Sequence, residues 1–278
     1  MKTPNDYKKE RLHLIDIWKE TRKISNREFY ADTERLKTID TIPYLTVPVV
    51  AAKRTQPAIK FVNGGTVSTG YEYSKKGRTA ILNFADAVKP CGWVEEGAPT
   101  QEENICRCTN LYETLTSEFC AENYYNLNKA QIKGQYYNTY TDALLYAKNV
   151  VVFRDDTDYH FLEPRQFDVI TCPAPSMILS ATDALELYLR RITRIVTAAI
   201  HQEAKNIILG AWGCGAFGQD PYQVAKGFAL VLNEYAGHFD NVVFAIRSTV
   251  EELEQFDDTA KQFKLALNQF YKGEVING

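Results

Sequence analysis

Long apolar runs are missing from this chain of 278 residues, and nothing in it approaches the roughly 20 consecutive apolar residues that a membrane-spanning helix needs. An excess of one charge is missing too: 32 Lys and Arg stand against 35 Asp and Glu, for a formal net charge of −3. That balance excludes a global attraction to nucleic acid or to an anionic membrane, so a phosphate-bearing ligand has to be held by local donors. Histidine is scarce, and His13, His160, His201 and His238 sit in no Cys/His or Ser/His signature, which leaves covalent catalysis unsupported. Six cysteines (Cys91, Cys106, Cys108, Cys120, Cys172 and Cys214) repeat no CxxC and match no zinc spacing, so no metal or other cofactor is expected and the cysteines read as reduced thiols. Met1-Lys2-Thr3-Pro4-Asn5-Asp6 lacks the apolar stretch of a signal peptide, and the expectation is a cytoplasmic protein without membrane association. Repeats, low-complexity tracts and Pro/Gly/Ser linkers are absent as well.

What is present can bury a core, since 45% of the residues are hydrophobic. Leu12, Ile15, Trp18 and Ile24, with charges between them, predict one or two surface helices near the start. Extended stretches are expected at Thr46–Ala52 and Ala58–Val62, the second ending in the turn signal Asn63-Gly64-Gly65. Thr79–Phe84 is nearly all apolar, which suits a strand covered on both faces. A helix from Glu102 to about Phe119 puts Ile105, Cys108, Leu111, Tyr112 and Leu115 on one face. The Tyr- and Asn-rich stretch Glu122–Tyr146 has no clear period and reads as a surface excursion able to cover a site.

From Asn149 the alternation is regular. Strands at Val150–Phe153, Val169–Cys172, Asn206–Leu209 and Val242–Ile246 are interleaved with three helices: one from a cap at Ser180 or Thr182 through His201, one from Pro221 to a Gly237 stop, and one from about Asp257 to Lys272. Such alternation implies a largely parallel or mixed sheet sandwiched by helices. The organisation expected is an N-terminal helical extension, residues 1–40, and a single domain, 41–278.

Two glycine-punctuated loops carry the chemistry. Cys91-Gly92-Trp93-Val94 lies just ahead of Gln101-Glu102-Glu103, and Gly213-Cys214-Gly215-Ala216-Phe217-Gly218 follows the strand Asn206–Leu209 and precedes a helix start at Asp220-Pro221. Open α/β sheets bind ligands at the carboxyl ends of their strands, where both loops fall, and glycines there permit positive φ and close backbone approach. Such loops are either tight turns or cradles that grip one diphosphate from two sides. Glu102 and Glu103 open a helix, either as dipole partners or as working carboxylates beside a bound diphosphate, whose charge raises a carboxyl pKa and suits it to general-acid work. A glycosidic bond flanked by such a group can be cleaved through an oxocarbenium-like transition state. Asn83 and Asp86 either bind ribose or adenine or cap the loop backbone, and Phe217 either stacks on a sugar or fills core.

Gln101-Glu102-Glu103 after a glycine loop, with Asn83-Phe84-Ala85 upstream and Leu209-Gly210-Ala211-Trp212-Gly213-Cys214-Gly215-Ala216-Phe217-Gly218 downstream, resembles the microbial-type poly(ADP-ribose) glycohydrolases, which are macrodomains. Val152-Phe153-Arg154-Asp155-Asp156 and Val169-Ile170-Thr171-Cys172-Pro173-Ala174-Pro175 are similar to that family too, so the resemblance runs from about residue 40 to 246. It implies a three-layer α/β/α fold with a mixed sheet and a cleft for ADP-ribose, borne by a protein, polymer or nucleic-acid acceptor. By the same resemblance Glu103 is the general acid and base, Glu102 positions the ribose, and Asn83, Asp86 and Gln101 belong to the ligand site. The backbone of Gly92, Trp93 and Val94 and that of Gly213, Cys214, Gly215 and Ala216 hold the diphosphate, with Phe217 near the distal ribose.

One departure stands out: the family has three successive glycines where this chain has Cys91-Gly92-Trp93. Beside polymer cleavage this leaves two alternatives, a non-catalytic ADP-ribose-binding module and a mono-ADP-ribosyl hydrolase whose substrate is altered by Cys91 and Trp93.

Overall fold

The computed structural model describes residues 3–27, 41–44, 49–132, 139–176, 181–248 and 258–278. Its strands are β1 (Thr41–Tyr44), β2 (Ile59–Val62), β3 (Thr79–Phe84), β4 (Leu144–Arg154), β5 (Phe161–Cys172), β6 (Asn206–Leu209), β7 (Asn241–Ala245) and β8 (Val275–Asn277). They form one mixed sheet in the order β1-β4-β5-β3-β6-β7-β2-β8. From β5 through β8 every neighbouring pair is parallel, while β4 pairs antiparallel with both β1 and β5.

Strand alternation divides the core in two. Ala80, Leu82, Ile207, Leu209, Val242 and Phe244 face one layer, which is closed by helices α6 (Ala181–His201), α7 (Pro221–Tyr235) and α8 (Asp258–Phe270). Their neighbours Ile81, Ile208, Val243 and Ala245 face the other, built from α1 (Pro4–Arg27), α2 (Thr66–Ser74), α3 (Gln101–Cys108), α4 (Leu111–Leu115) and α5 (Asn126–Ile132) with the turns between them. This is the expected three-layer α/β/α arrangement. The near-continuous apolar reading of β3 and β6 follows from cover on both faces. Among the described residues no helix is long and apolar enough to cross a membrane.

Several elements differ from the sequence reading, each for a local reason. The helix expected over Glu102–Phe119 stops at Cys108, because Thr109 turns extended (φ −139°) and bridges Val152 on β4, while Asn110 exchanges two hydrogen bonds with Val151 at 3.2 and 2.9 Å. The backbone finds partners in a strand there instead of in a further helical turn. Among its described residues the Tyr-rich stretch is only in part a surface excursion: a π-turn over Ala121–Tyr125 aims two consecutive tyrosines inward, and Tyr124, Tyr125 and Tyr146 are all buried, while Asn126, Leu127, Lys129 and Ala130 are exposed. At the N-terminus one helix buries Leu14, Trp18, Thr21 and Ser25, and Leu12 faces out. Residues 49–52 are not strand, and Thr46, Ser180 and Asp257 lie outside the described residues. The short edge strands β1 and β8 had no sequence signal of their own.

A buried carboxylate fastens the antiparallel corner. Asp168 on β5 accepts hydrogen bonds from Arg78 Nε and the Tyr146 hydroxyl, both at 2.7 Å, and from the Asn149 N–H at 3.0 Å. Asn149 stands at φ 55°, a conformation this last bond helps to hold. Replacing Asp168 with Ala orphans a buried hydroxyl and an N–H, so a loss of about 3 kcal/mol in unfolding free energy is expected. Urea unfolding checks this, and a loss below about 1 kcal/mol contradicts it.

Candidate active site

The carboxyl ends of β3, β6, β7 and β2 open onto one pocket of about 570 Å³, a volume suited to a nucleotide-sized ligand. Of the residues singled out from sequence, Asp86, Gly92, Trp93, Gln101, Glu102, Glu103, Gly213, Cys214, Gly215, Ala216 and Phe217 line it. Asn83 and Val94 do not. Asn83 is wholly buried beneath Glu102, donating from Nδ2 to Glu102 Oε1 at 3.2 Å and to Thr171 Oγ1 at 3.3 Å. Val94 belongs to the apolar layer, because a 3₁₀ turn over Val94–Glu96 rolls it inward.

The three residues that open α3 have separate tasks. Gln101 does not reach for a ligand: its amide accepts from the Phe84 N–H at 2.9 Å and donates to the Leu82 carbonyl at 2.7 Å, so it pins the helix to the end of β3. Glu102 accepts from the Asp86 N–H at 2.7 Å as well as from Asn83. Its surroundings push its pKa well above the ordinary range, first through burial and further through the carboxylates of Asp86 and Glu103, against the pull of those two hydrogen bonds. Glu103 accepts the Trp93 N–H at 2.9 Å on one oxygen and the Thr100 hydroxyl on the other.

Gly92 is needed for this arrangement. A Cβ there would lie 2.4 Å from Glu103 Oε1 and 3.3 Å from Glu102 Oε2, and its φ of 55° already disfavours a side chain. Cys91, at φ 57°, pays a cost of about 1 kcal/mol for being non-glycine and is bonded through a disulfide to Cys106, one turn beyond Glu103. The expectation of six reduced thiols is thereby corrected: the Cα atoms lie 6.3 Å apart, within the span of a disulfide, so the loop is stapled to the helix it serves.

Hydrogen-bond bookkeeping separates the two loops. In the first, Gly92 N–H donates to Lys89 O, Trp93 N–H to Glu103 and Val94 N–H to Cys91 O, so these three are not left for a diphosphate. In the second, among the described residues, the N–H groups of Gly215, Ala216 and Phe217 have no acceptor. That loop is braced from behind, with Trp212 Nε1 on Cys172 O at 3.0 Å and Gln219 Nε2 on Pro175 O at 2.8 Å. Gly213 stands at φ 79°, where a Cβ would meet Ala174 at 2.6 Å. Asp86 takes the capping role weighed for it, accepting from Val88 N–H at 2.7 Å and Lys89 N–H at 2.8 Å.

Sequence reasoning missed one end of the pocket. Gly64, Gly65, Thr66, Asp156 and Arg247 line it, with Asp156 capping α2 through the Val67 and Ser68 N–H groups and pairing with Arg247 at 3.2 Å. The signal was there: Asn63-Gly64-Gly65 leaves a strand at its carboxyl end, just as the two recognised loops do.

Two outcomes follow. A raised folded-state pKa means that the Glu102 contribution is intact below its ordinary value of 4.5 and is lost as pH rises toward the folded value. Glu102→Gln cannot ionise, so its unfolding free energy relative to the parent should increase between pH 4 and pH 8 in urea titrations; a constant offset contradicts the assignment. In peptide mapping without reductant, the fragments bearing Cys91 and Cys106 should emerge as one linked mass, and Cys91→Ser should lower stability by about 3 kcal/mol, the value for a loop of some 15 residues.

Comparison with known proteins agrees with this geometry. Residues 5–155 match the family described as the microbial-type PARG catalytic domain, just over half of the chain. A poly(ADP-ribose) glycohydrolase from Thermomonospora curvata superposes with a TM-score of 0.77 at 27% identity over 93% of this chain and 99% of its own. The same enzyme bound to the inhibitor ADP-HPD gives 0.74, also at 27% identity, over 92% and 98%. The poly(ADP-ribose) glycohydrolase of Deinococcus radiodurans, in complex with ADP-ribose, gives 0.64 at 32% identity over 77% and 86%. Among curated protein sequences none matches. With the family matched over more than half its length and the pocket formed around Gln101-Glu102-Glu103, the chain belongs to the microbial-type poly(ADP-ribose) glycohydrolases, hydrolases of ADP-ribose glycosidic linkages.

Proposed function

We propose that the pocket takes the terminal ADP-ribose of a poly(ADP-ribose) chain and that Glu103 is the acid that releases it. The observation that carries this is one shared cavity with a carboxylate pair on one loop–helix junction and three free N–H groups on another. The ADP-ribose and ADP-HPD complexes of the two related glycohydrolases support placing the same kind of ligand here. The diphosphate lies on the N–H groups of Gly215, Ala216 and Phe217, which offer fixed dipoles to an anion without a net positive charge nearby. Phe217 walls the distal ribose.

Glu103 passes its proton to the leaving oxygen as the bond to the anomeric carbon breaks. The carboxylate left behind is stabilised by the Trp93 N–H and the Thr100 hydroxyl, and it then takes a proton from the attacking water. Glu102, whose burial raises its pKa and favours the protonated form, offers in that form both an O–H and an acceptor to the ribose hydroxyls. A protein or nucleic-acid acceptor joined to ADP-ribose through a hydroxyl oxygen presents a leaving oxygen to the same carboxyl group. Within this proposal residues 1–40 are the helical extension and 41–278 the catalytic domain, with α1 bracing α3: Arg107 Nε donates to Leu14 O at 3.3 Å, and the Thr21 hydroxyl to Arg107 O at 2.6 Å.

Glu103→Gln keeps the shape and removes the titratable proton. Turnover of poly(ADP-ribose) should fall by roughly 10³-fold, with ADP-ribose affinity by calorimetry within about threefold of the parent. Undiminished turnover would remove Glu103 from the acid role, and loss of both properties would make it a residue of the fold.

A further inference from the structure

One pocket side chain has no task in the reaction just described. Trp93 is 55% exposed, and among the described residues it is the only exposed large hydrophobic side chain that also lines the pocket. An indole left in water beside a ligand site is a stacking surface without its stack. Its ring is held in place: the Lys89 ammonium sits 3.7 Å from the ring centroid and is itself bonded to both oxygens of Glu96 at 3.0 and 3.2 Å. A cation on one face fixes the ring and leaves the rest of it open to a planar partner.

The position of Trp93 along the chain says which part of a substrate it meets. Its backbone N–H donates to Glu103 Oε1 at 2.9 Å, so the ring leaves the chain at the residue that touches the carboxyl group handing its proton to the leaving oxygen. What departs from that carboxyl in a polymer is the ribose of an adenosine, and its purine is the one planar, apolar-faced group on the departing side. Every purine has a π-face, and stacking on an aromatic side chain needs no further hydrogen-bond donors or acceptors.

We propose that Trp93 is a specificity-determining residue of the leaving-group side, stacking on the adenine of the ADP-ribose unit that departs. The inference rests on the hydrolase reading of the pocket with Glu103 as the acid. It makes the chain selective for a polymer over acceptors without a base at that place.

The test compares two substrates that differ only in that base. One is the ADP-ribose dimer; the other is its synthetic counterpart in which the adenine of the departing unit is replaced by hydrogen, so the bond cleaved is the same. The parent should favour the dimer by roughly tenfold in kcat/KM, chiefly through KM, as expected for one base–aromatic stack. In Trp93→Ala the preference should vanish, and in Trp93→Phe it should remain within about threefold of the parent. The ratio is insensitive to a general loss of activity in a poorly folded variant, because such a loss falls on both substrates. A parent that treats the two alike, or a Trp93→Ala that keeps the preference, overturns the stacking role while leaving the hydrolase reading intact. A parent that releases ADP-ribose from neither substrate overturns both.

Discussion

Two adjacent carboxyl groups taken almost wholly out of water, Glu102 and Glu103, are the constraint on which the rest of this molecule depends. Burying a charged or polar group without partners is costly, so every neighbour has to supply either a hydrogen bond or a reason for the group to stay protonated. Asn83, the Asp86 N–H, the Trp93 N–H and the Thr100 hydroxyl supply the bonds. Burial together with neighbouring negative charge raises the pKa of Glu102 and so favours its protonated form. Because both acids lie in the first turn of α3, the helix dipole favours whatever charge they do carry.

Holding two consecutive helical residues in such an environment requires that the helix itself not move. Gln101 locks its beginning to β3, the Cys91–Cys106 bridge locks its middle to the loop in front, and Arg107 locks its end to Ala98 O at 2.5 Å and to Leu14 O on α1. The N-terminal helix is therefore a brace for the site as well as a cover for one face of the sheet, with Trp18 buried in the same apolar layer as Ile105 and Cys108. Replacing a loop glycine by Cys91 at φ 57° is tolerable here because the side chain that costs backbone freedom also makes the covalent tie.

The parts of this design that sequence revealed are those set by local pattern. A nearly all-apolar β3, glycines after β6 and two acids at a helix start are visible because strand burial, positive φ and helix polarity each demand particular residue types at fixed spacing. What escaped depended on contacts far apart in sequence. Nothing near Thr109 announces that it will leave the helix to meet Val152, and nothing near Asn83 says that Glu102 will cover it. Val94 lies in a loop that reads as ligand-facing and is turned into the core by a 3₁₀ turn. The inward π-turn at Tyr124 and Tyr125 is likewise a tertiary result, since its residues are as polar at one end as they are apolar at the other.

The two glycine loops look alike as sequences and differ in what their backbones have left to give. In the first loop the N–H groups of Gly92, Trp93 and Val94 are already committed, that of Trp93 to Glu103. Around Gly215 three successive N–H groups are free among the described residues, on a loop whose rear is nailed down by Trp212 and Gln219. A donor bonded to Glu103 stabilises a carboxylate the protein itself carries; a free donor on a rigid loop can stabilise an anion that arrives from outside. Both are preorganised dipoles in a partly dehydrated pocket, and neither can do the other's work without first breaking a bond it now holds. The division explains why the second glycine loop tolerates no bulk at Gly213, where the backbone must bend, and why the first tolerates none at Gly92, where the carboxyl groups must come close.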